Sequence, residues 1–247
     1  MPIFIFLFLL ISGLNADLLD DYEALFKQLP NWNREQAIIE PFGDGCTNQN
    51  YKLSVGNKSY FVRIGSNPKT ELGLLFSREV ESIKLASKLG LTPPVLIYSD
   101  QILITPFVQS NTINIHEPEN LVKVIAMLKK VHESNEILSW DATPEAVIEK
   151  YLNILERLNI ALTPIQQDVI ANRPRPKIEK LVPCHIDVKG ENVLDDGKKF
   201  WLIDWEYGGM SDPMFDLASL KPASGFNDEE LQSALSLYIE NPSLEQK

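Results

Sequence analysis

His185-Ile186-Asp187-Val188-Lys189-Gly190-Glu191-Asn192, followed by Leu202-Ile203-Asp204, sets acid and amide side chains at a distinctive spacing in this chain. Asn192 lies five positions after Asp187, and Asp204 twelve beyond that. Two carboxylates and an amide are hard oxygen donors of the kind Mg²⁺ prefers, and a carboxylate beside a hydroxyl can orient or accept its proton. Phosphoryl transfer asks for little more, because its catalysis reduces to positioning and charge neutralisation. Phe200 to Ile203 form an apolar run after the turn residues Asp195-Asp196-Gly197, so a hairpin is expected with Asp204 at its end. The competing reading is ordinary loop chemistry, with Asp187 and Asn192 in Asx turns and Asp204 a strand-end charge.

His-x-Asp-x-x-x-x-Asn with a later Asp is the layout of a protein-kinase catalytic loop, which requires an upstream sheet, a glycine-rich turn, a phosphate-binding cation and a helix carrying an acid. Phe42-Gly43-Asp44-Gly45-Cys46-Thr47-Asn48 supplies the turn, Tyr51 to Val55 an alternating strand, and Gly56-Asn57 a hairpin turn. On the returning strand, Ser59 to Ile64, Phe61 and Arg63 share one face while Tyr60, Val62 and Ile64 share the other. Arg63 therefore stands where a phosphate-binding cation belongs. Val80, Ile83, Ala86 and Leu89 fit a helix over about Arg78 to Leu89, stopped by Gly90 and Pro93-Pro94, with Glu79 in its first turn. By itself Glu79 is equally a first-turn acid favoured by the helix dipole.

Gly45-Cys-Thr-Asn-Gln-Asn-Tyr51, Cys184-His-Ile-Asp187 and Ile203-Asp-Trp-Glu-Tyr-Gly-Gly-Met-Ser-Asp-Pro-Met-Phe-Asp-Leu217 together resemble the choline/ethanolamine kinase family, bacterial choline kinases above all, within the aminoglycoside phosphotransferase-like kinases. The resemblance covers roughly residues 25 to 240. It implies an α+β, bilobal, protein-kinase-like fold with a small antiparallel-sheet N-lobe and a mainly helical C-lobe. Residues 17–108 would form the nucleotide-binding lobe and residues 109–247 the catalytic and substrate lobe.

The resemblance also assigns roles. Asp187 would be the catalytic carboxylate at the acceptor hydroxyl, and Asn192 and Asp204 would hold Mg²⁺. Gly43, Gly45, Thr47 and Asn48 would lie over ATP. Arg63 would contact its phosphates and pair with Glu79. Thr105 and Phe107, in Leu103-Ile-Thr-Pro-Phe107, would belong to the hinge. Trp205, Glu206 and Tyr207 are candidate substrate contacts, with the alternatives that the aromatics are core and that Glu206 is a metal-side carboxylate. His185 and Asp216 would support the loop rather than react.

The chain departs from the family at Ala223, where choline kinases carry a glutamate facing the cationic head group, and in its short continuation after Leu231 to Ile239. The acceptor therefore stays open between choline, ethanolamine or a related amino alcohol, and thiamine, an aminoglycoside or another alcohol. A truncated, non-catalytic nucleotide-binding protein is the reading from outside the enzyme class.

With 247 residues and 44% apolar content the chain can bury a sizeable core. Its net charge of −11 argues against nucleic acid and anionic membrane as partners and fits a small, cationic alcohol. Cys46 and Cys184 show no zinc spacing and are expected to be reduced. His132 falls on the apolar face of a helix with Leu121, Val124, Ile125 and Leu128, and His116 lies in a polar loop. Residues 1–16 begin with an apolar run, Ile3 to Ile11, that reads as signal-like, a membrane tether or a start placed too far upstream. Chemistry that needs ATP favours the cytoplasm, with membrane contact only through that segment.

Overall fold

The computed structural model describes residues 18–43, 48–65, 75–175 and 177–240. Residues 1–16, with Gly45, Cys46 and Thr47 of the expected phosphate turn, lie outside that set. In chain order the described elements are α1 (Glu23–Phe26), β1 (Ala37–Pro41), β2 (Asn48–Val55), β3 (Lys58–Gly65), α2 (Phe76–Lys88), β4 (Ile97–Tyr98), β5 (Ile102–Pro106) and β6 (Asn111–Thr112). They continue with α3 (Pro118–His132), α4 (Pro144–Arg157), α5 (Pro164–Ala171), β7 (Val182–Cys184), β8 (Val193–Asp195), β9 (Phe200–Leu202), β10 (Gly209–Ser211), α6 (Pro213–Ser224) and α7 (Asp228–Glu240). They fall into two compact units. The first holds the described residues up to Gly65 with Pro93–Val108, and the second those from Leu75 to Thr92 and from Gln109 onward.

The first unit is an antiparallel five-stranded sheet in the order β1-β2-β3-β5-β4. Gly56, at φ 60°, opens the two-residue turn that pairs Val55 with Lys58, a left-handed conformation that glycine adopts without a Cβ penalty. This register fixes two faces. Leu53, Val55, Tyr60, Val62, Ile64, Ile102 and Ile104 are buried together with Leu19, Phe26 and Leu29. Asn50, Arg63 and Leu103 are paired across three strands on the opposite face, as are Lys52, Phe61 and Thr105. The alternation that set Arg63 apart from the core is therefore the one observed.

In the second unit α2 ends in a Schellman motif: Gly90, at φ 71°, donates to Ser87 O, and Leu91 N donates to Ala86 O at 2.9 Å. The sequence division placed this helix in the first lobe, but its contacts tie it to the second unit. Leu202 N donates to Leu91 O at 2.7 Å, Ser139 donates to Glu81, and Lys88 pairs with Glu136. Helix α3 buries Leu121, Val124, Ile125, Leu128 and Val131. Asp212 caps α6 by accepting from Met214 N at 2.8 Å, with Pro213 at the first helical position and Gly225 (φ 73°) at the end. The Asp-Pro of the sequence block is thus a helix start. Short strands complete the unit: β7 with β10, and the hairpin β8–β9 extended by β6. Among the described residues no helix is long and apolar enough to cross a membrane.

Candidate active site

The expected hairpin forms, and its turn is built by Asp196. Its carboxylate accepts from Lys198 N and Lys199 N at 2.8 and 2.9 Å and from Trp201 Nε1 at 2.8 Å. Those hydrogen bonds, Lys199 N first, hold its pKa at about 2. Past the hairpin, Ile203 N donates to Asn192 O at 2.9 Å, which fastens the Asp204 segment to the catalytic loop. Gly190 starts the 3₁₀ turn Gly190–Asn192, and a Cβ there would meet Ile113 O at 2.9 Å, so only glycine fits the close approach.

Within the loop, the Asp187 Oδ2 accepts from Lys189 Nζ at 2.6 Å and from Asn192 Nδ2 at 3.0 Å. Asn192 Nδ2 also donates to Asp187 O at 2.9 Å. The structure thus brings Asp187 and Asn192 into direct contact. Lys189, which the sequence reading did not single out, is the third member; its signal was its position two residues after Asp187. Partial burial would lower the Lys189 pKa, but the Asp187 hydrogen bond and the charges of Asp187, Asp204 and Glu191 raise it above the ordinary lysine value. Asn192 spends its amide nitrogen on Asp187, which leaves its Oδ1 as an oxygen donor.

Two residues of this region, Ile186 (φ 71°) and Asp204 (φ 64°), occupy the left-handed region that side chains with a Cβ rarely adopt. What holds Ile186 there is Asp216. Its fully buried carboxylate accepts from Ile186 N at 2.5 Å, from His185 N at 2.9 Å and from His132 Nε2 at 2.9 Å. Burial pushes the Asp216 pKa up, but the hydrogen bond and charge of His132, with His185, bring it below the usual carboxylate value. His185 accepts from Asp187 N on Nδ1 at 3.2 Å and donates from Nε2 to Ile203 O at 2.9 Å, which specifies the neutral Nε2–H tautomer. Burial accordingly lowers its pKa. His185 and Asp216 act here as braces. His132, expected as a packing residue, joins them, since its Nδ1 meets Tyr238 Oη of α7 at 2.8 Å. His116 is also engaged: it meets Glu230 at 2.7 Å and Ser224 O at 3.1 Å.

Trp205, a candidate substrate contact, is instead core. It is fully buried, packs edge-on against His185 at 4.6 Å between ring centroids, and donates to Leu202 O. No face of the indole remains for a ligand. Cys184 is free and buried, and burial pushes its thiol pKa well up.

The described candidates for nucleotide contact lie in the first unit or on α2. Arg63 is buried, donates from Nε to Asn50 Oδ1 at 3.2 Å and lies over the Phe61 ring. Thr105 is buried on the same face, and Phe107 packs edge-on against Phe42 at 5.0 Å with Lys52 Nζ over its ring. Lys52 and Phe42 were not flagged by the sequence reading, although Lys52 alternates in phase with Asn50. Gly43 has φ 74°, and the buried Asn48 Oδ1 has no hydrogen-bond partner among the described residues. Glu79 is buried in the first turn of α2.

Residues 38–240 match the APH family, described as the phosphotransferase enzyme family. This chain belongs to that family. Protein LicA of Haemophilus influenzae is 26% identical over an alignment of 218 positions that covers 78% of this chain and 60% of LicA, so the chain spans three fifths of that relative's length. A crystal structure of a choline/ethanolamine kinase family protein from Mesorhizobium loti has TM-score 0.65 and 25% identity, covering 90% of this chain and 76% of that one. A separate crystal structure, of a protein LicA in complex with AMP, has TM-score 0.70 and 24% identity, covering 94% of this chain and 82% of that one. The fold is thus the α+β, protein-kinase-like one, with a small antiparallel-sheet N-lobe and a mainly helical C-lobe.

Inside its second unit the chain carries a cleft of about 610 Å³ beside the 185–192 loop. It is lined by Ile186, Glu206 and Tyr207 together with Trp140, Asp141, Val147, Lys150 and Tyr151. Helix α4 has the sequence of an amphipathic helix, yet Tyr151 and Val147 on its apolar face are not buried; they form the cleft wall. Gly209 lets the opposite floor close, because a Cβ there would meet Trp140 Nε1 and Ala142 Cβ at 2.5 Å. Burial, then Glu206, Tyr151, Asp187 and Asp204, push the Tyr207 hydroxyl up to about 12, so it enters the cleft as a donor.

Proposed function

We propose that this phosphotransferase transfers the γ-phosphoryl group of ATP to the hydroxyl of a small-molecule alcohol: choline, ethanolamine or a related amino alcohol. The observation that carries the proposal is the Asp187 carboxylate, gripped by Lys189 Nζ and Asn192 Nδ2 on a loop whose backbone is fixed by Asp216. In this reading the acceptor oxygen forms a bond to the γ-phosphorus, the bond from phosphorus to the ADP oxygen breaks, and the hydroxyl proton passes to Asp187. Lys189 supplies a positive charge where the transferring group gains negative charge.

The donor set fits a divalent cation, because Asn192 keeps its Oδ1 and Asp204 adds a carboxylate, both hard oxygen ligands suited to Mg²⁺. Bound there, Mg²⁺ would neutralise phosphate charge. Asn192 and Asp204 would orient the triphosphate relative to Asp187. The nucleotide would lie against the sheet face that carries Arg63, Lys52, Thr105 and Phe107, with Asn48 and Gly43 at its phosphate end. Residues 17–108 would thus bind nucleotide and residues 109–247 acceptor. The AMP bound by LicA, a protein of the same fold, supports an adenine nucleotide. The requirement for ATP supports the cytoplasm as the site of action.

The test is phosphoryl transfer from Mg-ATP to choline, ethanolamine, thiamine and an aminoglycoside, with Asp187→Asn as control. Transfer that vanishes in the control is the expected result. Transfer that persists in it would remove Asp187 from the reaction.

A further inference from the structure

The cleft beside Asp187 is electrostatically unlike the rest of the chain. The formal net charge is −11, yet the cations on the cleft wall, Arg78, Lys150 and Arg157, outnumber the carboxylates, Asp141 and Glu206. Two of these cations cover the aromatic surfaces. Arg78 lies over the Trp140 ring at 5.9 Å from the centroid, and Lys150 Nζ over the Tyr151 ring at 4.6 Å. A quaternary ammonium group is held by open aromatic faces, and here side-chain cations already lie over the Trp140 and Tyr151 rings. Among the described residues Lys150 has no carboxylate partner, and burial followed by the Arg78 charge lowers its pKa below the ordinary lysine value. An ammonium group kept partly dry beside a guanidinium favours an incoming anion. The Asp141 carboxylate is not aimed at these cations; it accepts from Thr143 N at 2.8 Å, where it helps start α4.

We infer that the acceptor alcohol carries an anionic group, a carboxylate or a phosphate, which Lys150 and Arg78 receive while its hydroxyl reaches Asp187. The inference rests on the kinase reading above and narrows it: among amino alcohols it selects zwitterions over choline. Glu206 and Tyr207 also line the cleft, where a carboxylate and a hydroxyl suit the ammonium and hydroxyl end of such a molecule.

Matched acceptors test this. Serine differs from ethanolamine by a carboxylate, and glycerol 3-phosphate from glycerol by a phosphate. In at least one pair the anionic member should have a kcat/KM higher by about tenfold or more, a factor that corresponds to one well-placed charge interaction. Lys150→Met should erase that ratio, mainly through KM, and Lys150→Arg should retain it. Preference for ethanolamine and choline, with a ratio indifferent to Lys150→Met, would overturn the inference and leave the kinase intact. If none of the acceptors is turned over, calorimetric titration with the same pairs decides. Anion binding lost in Lys150→Met, without any Asp187-dependent ATP turnover, would keep the anion site and reject the kinase. Asp187-dependent ATP hydrolysis, with no tighter binding of the anionic members, would do the reverse.

Discussion

The sheet of the first unit and the catalytic loop of the second satisfy their backbones by opposite means. In the sheet, β2, β3 and β5 pair over five to eight residues, and one face is a continuous apolar layer. In the loop the strands are three residues long, two residues take left-handed backbone, and the amides of His185 and Ile186 are satisfied by one buried carboxylate, Asp216. A sheet spreads its stability over many replaceable contacts. The loop concentrates its geometry in a few hydrogen bonds that nothing else duplicates.

The sharpest break of that contrast is Asp187→Asn, which should lower kcat by about 10²–10⁴-fold, the usual worth of general acid–base help, while Mg-ATP affinity by calorimetry stays near wild type. Loss of nucleotide affinity on the same scale would mean that Asp187 binds rather than reacts. Next comes Asp216→Ala. Removing one partner of a buried, hydrogen-bonded pair costs about 3–5 kcal/mol, so melting temperature and activity should fall together. Leu53→Ala in the sheet core removes apolar volume and should cost about 2–5 kcal/mol in denaturant unfolding, with activity per folded molecule unchanged. If Asp216→Ala spared activity, or Leu53→Ala abolished it in folded protein, the contrast between the two regions would fail.

pH sharpens the comparison further, because the neutral His185 belongs to the loop alone. Its folded pKa lies below the ordinary histidine value of 6.5, so between the folded pKa and 6.5 the unfolded chain binds the extra proton. Stability should therefore fall as pH drops through 6.5, by up to about 1.4 kcal/mol per pH unit, and urea unfolding of His185→Gln should show a shallower slope. Asp216 acts in a different window. Its lowered folded pKa contributes stability that is full above the ordinary carboxylate range and lost only as pH falls through the folded value. The smallest effect is expected for Tyr238→Phe. It removes one hydrogen bond to His132, worth about 1 kcal/mol, and should reduce activity several-fold by loosening Asp216 from a distance. Unaltered activity at reduced stability would confine Tyr238 to the packing of α7.

Local chemistry wrote much of this molecule into the sequence. The Gly56 turn and strict alternation determined the β2–β3 hairpin and the face of Arg63. Gly90 determined the end of α2, and Asp212-Pro213 the start of α6. Each of these depends on neighbours within a turn or a strand, which the order of residues specifies. Tertiary structure alone decided the rest. It buried Trp205 and turned the apolar stripe of α4 into a cleft wall. It joined Asp216 to His132 across 84 residues and His132 to Tyr238 across 106, and set Arg78 over the Trp140 ring. Such contacts arise from packing between distant segments, where a side chain's partner depends on which faces meet and not on its neighbours in the chain.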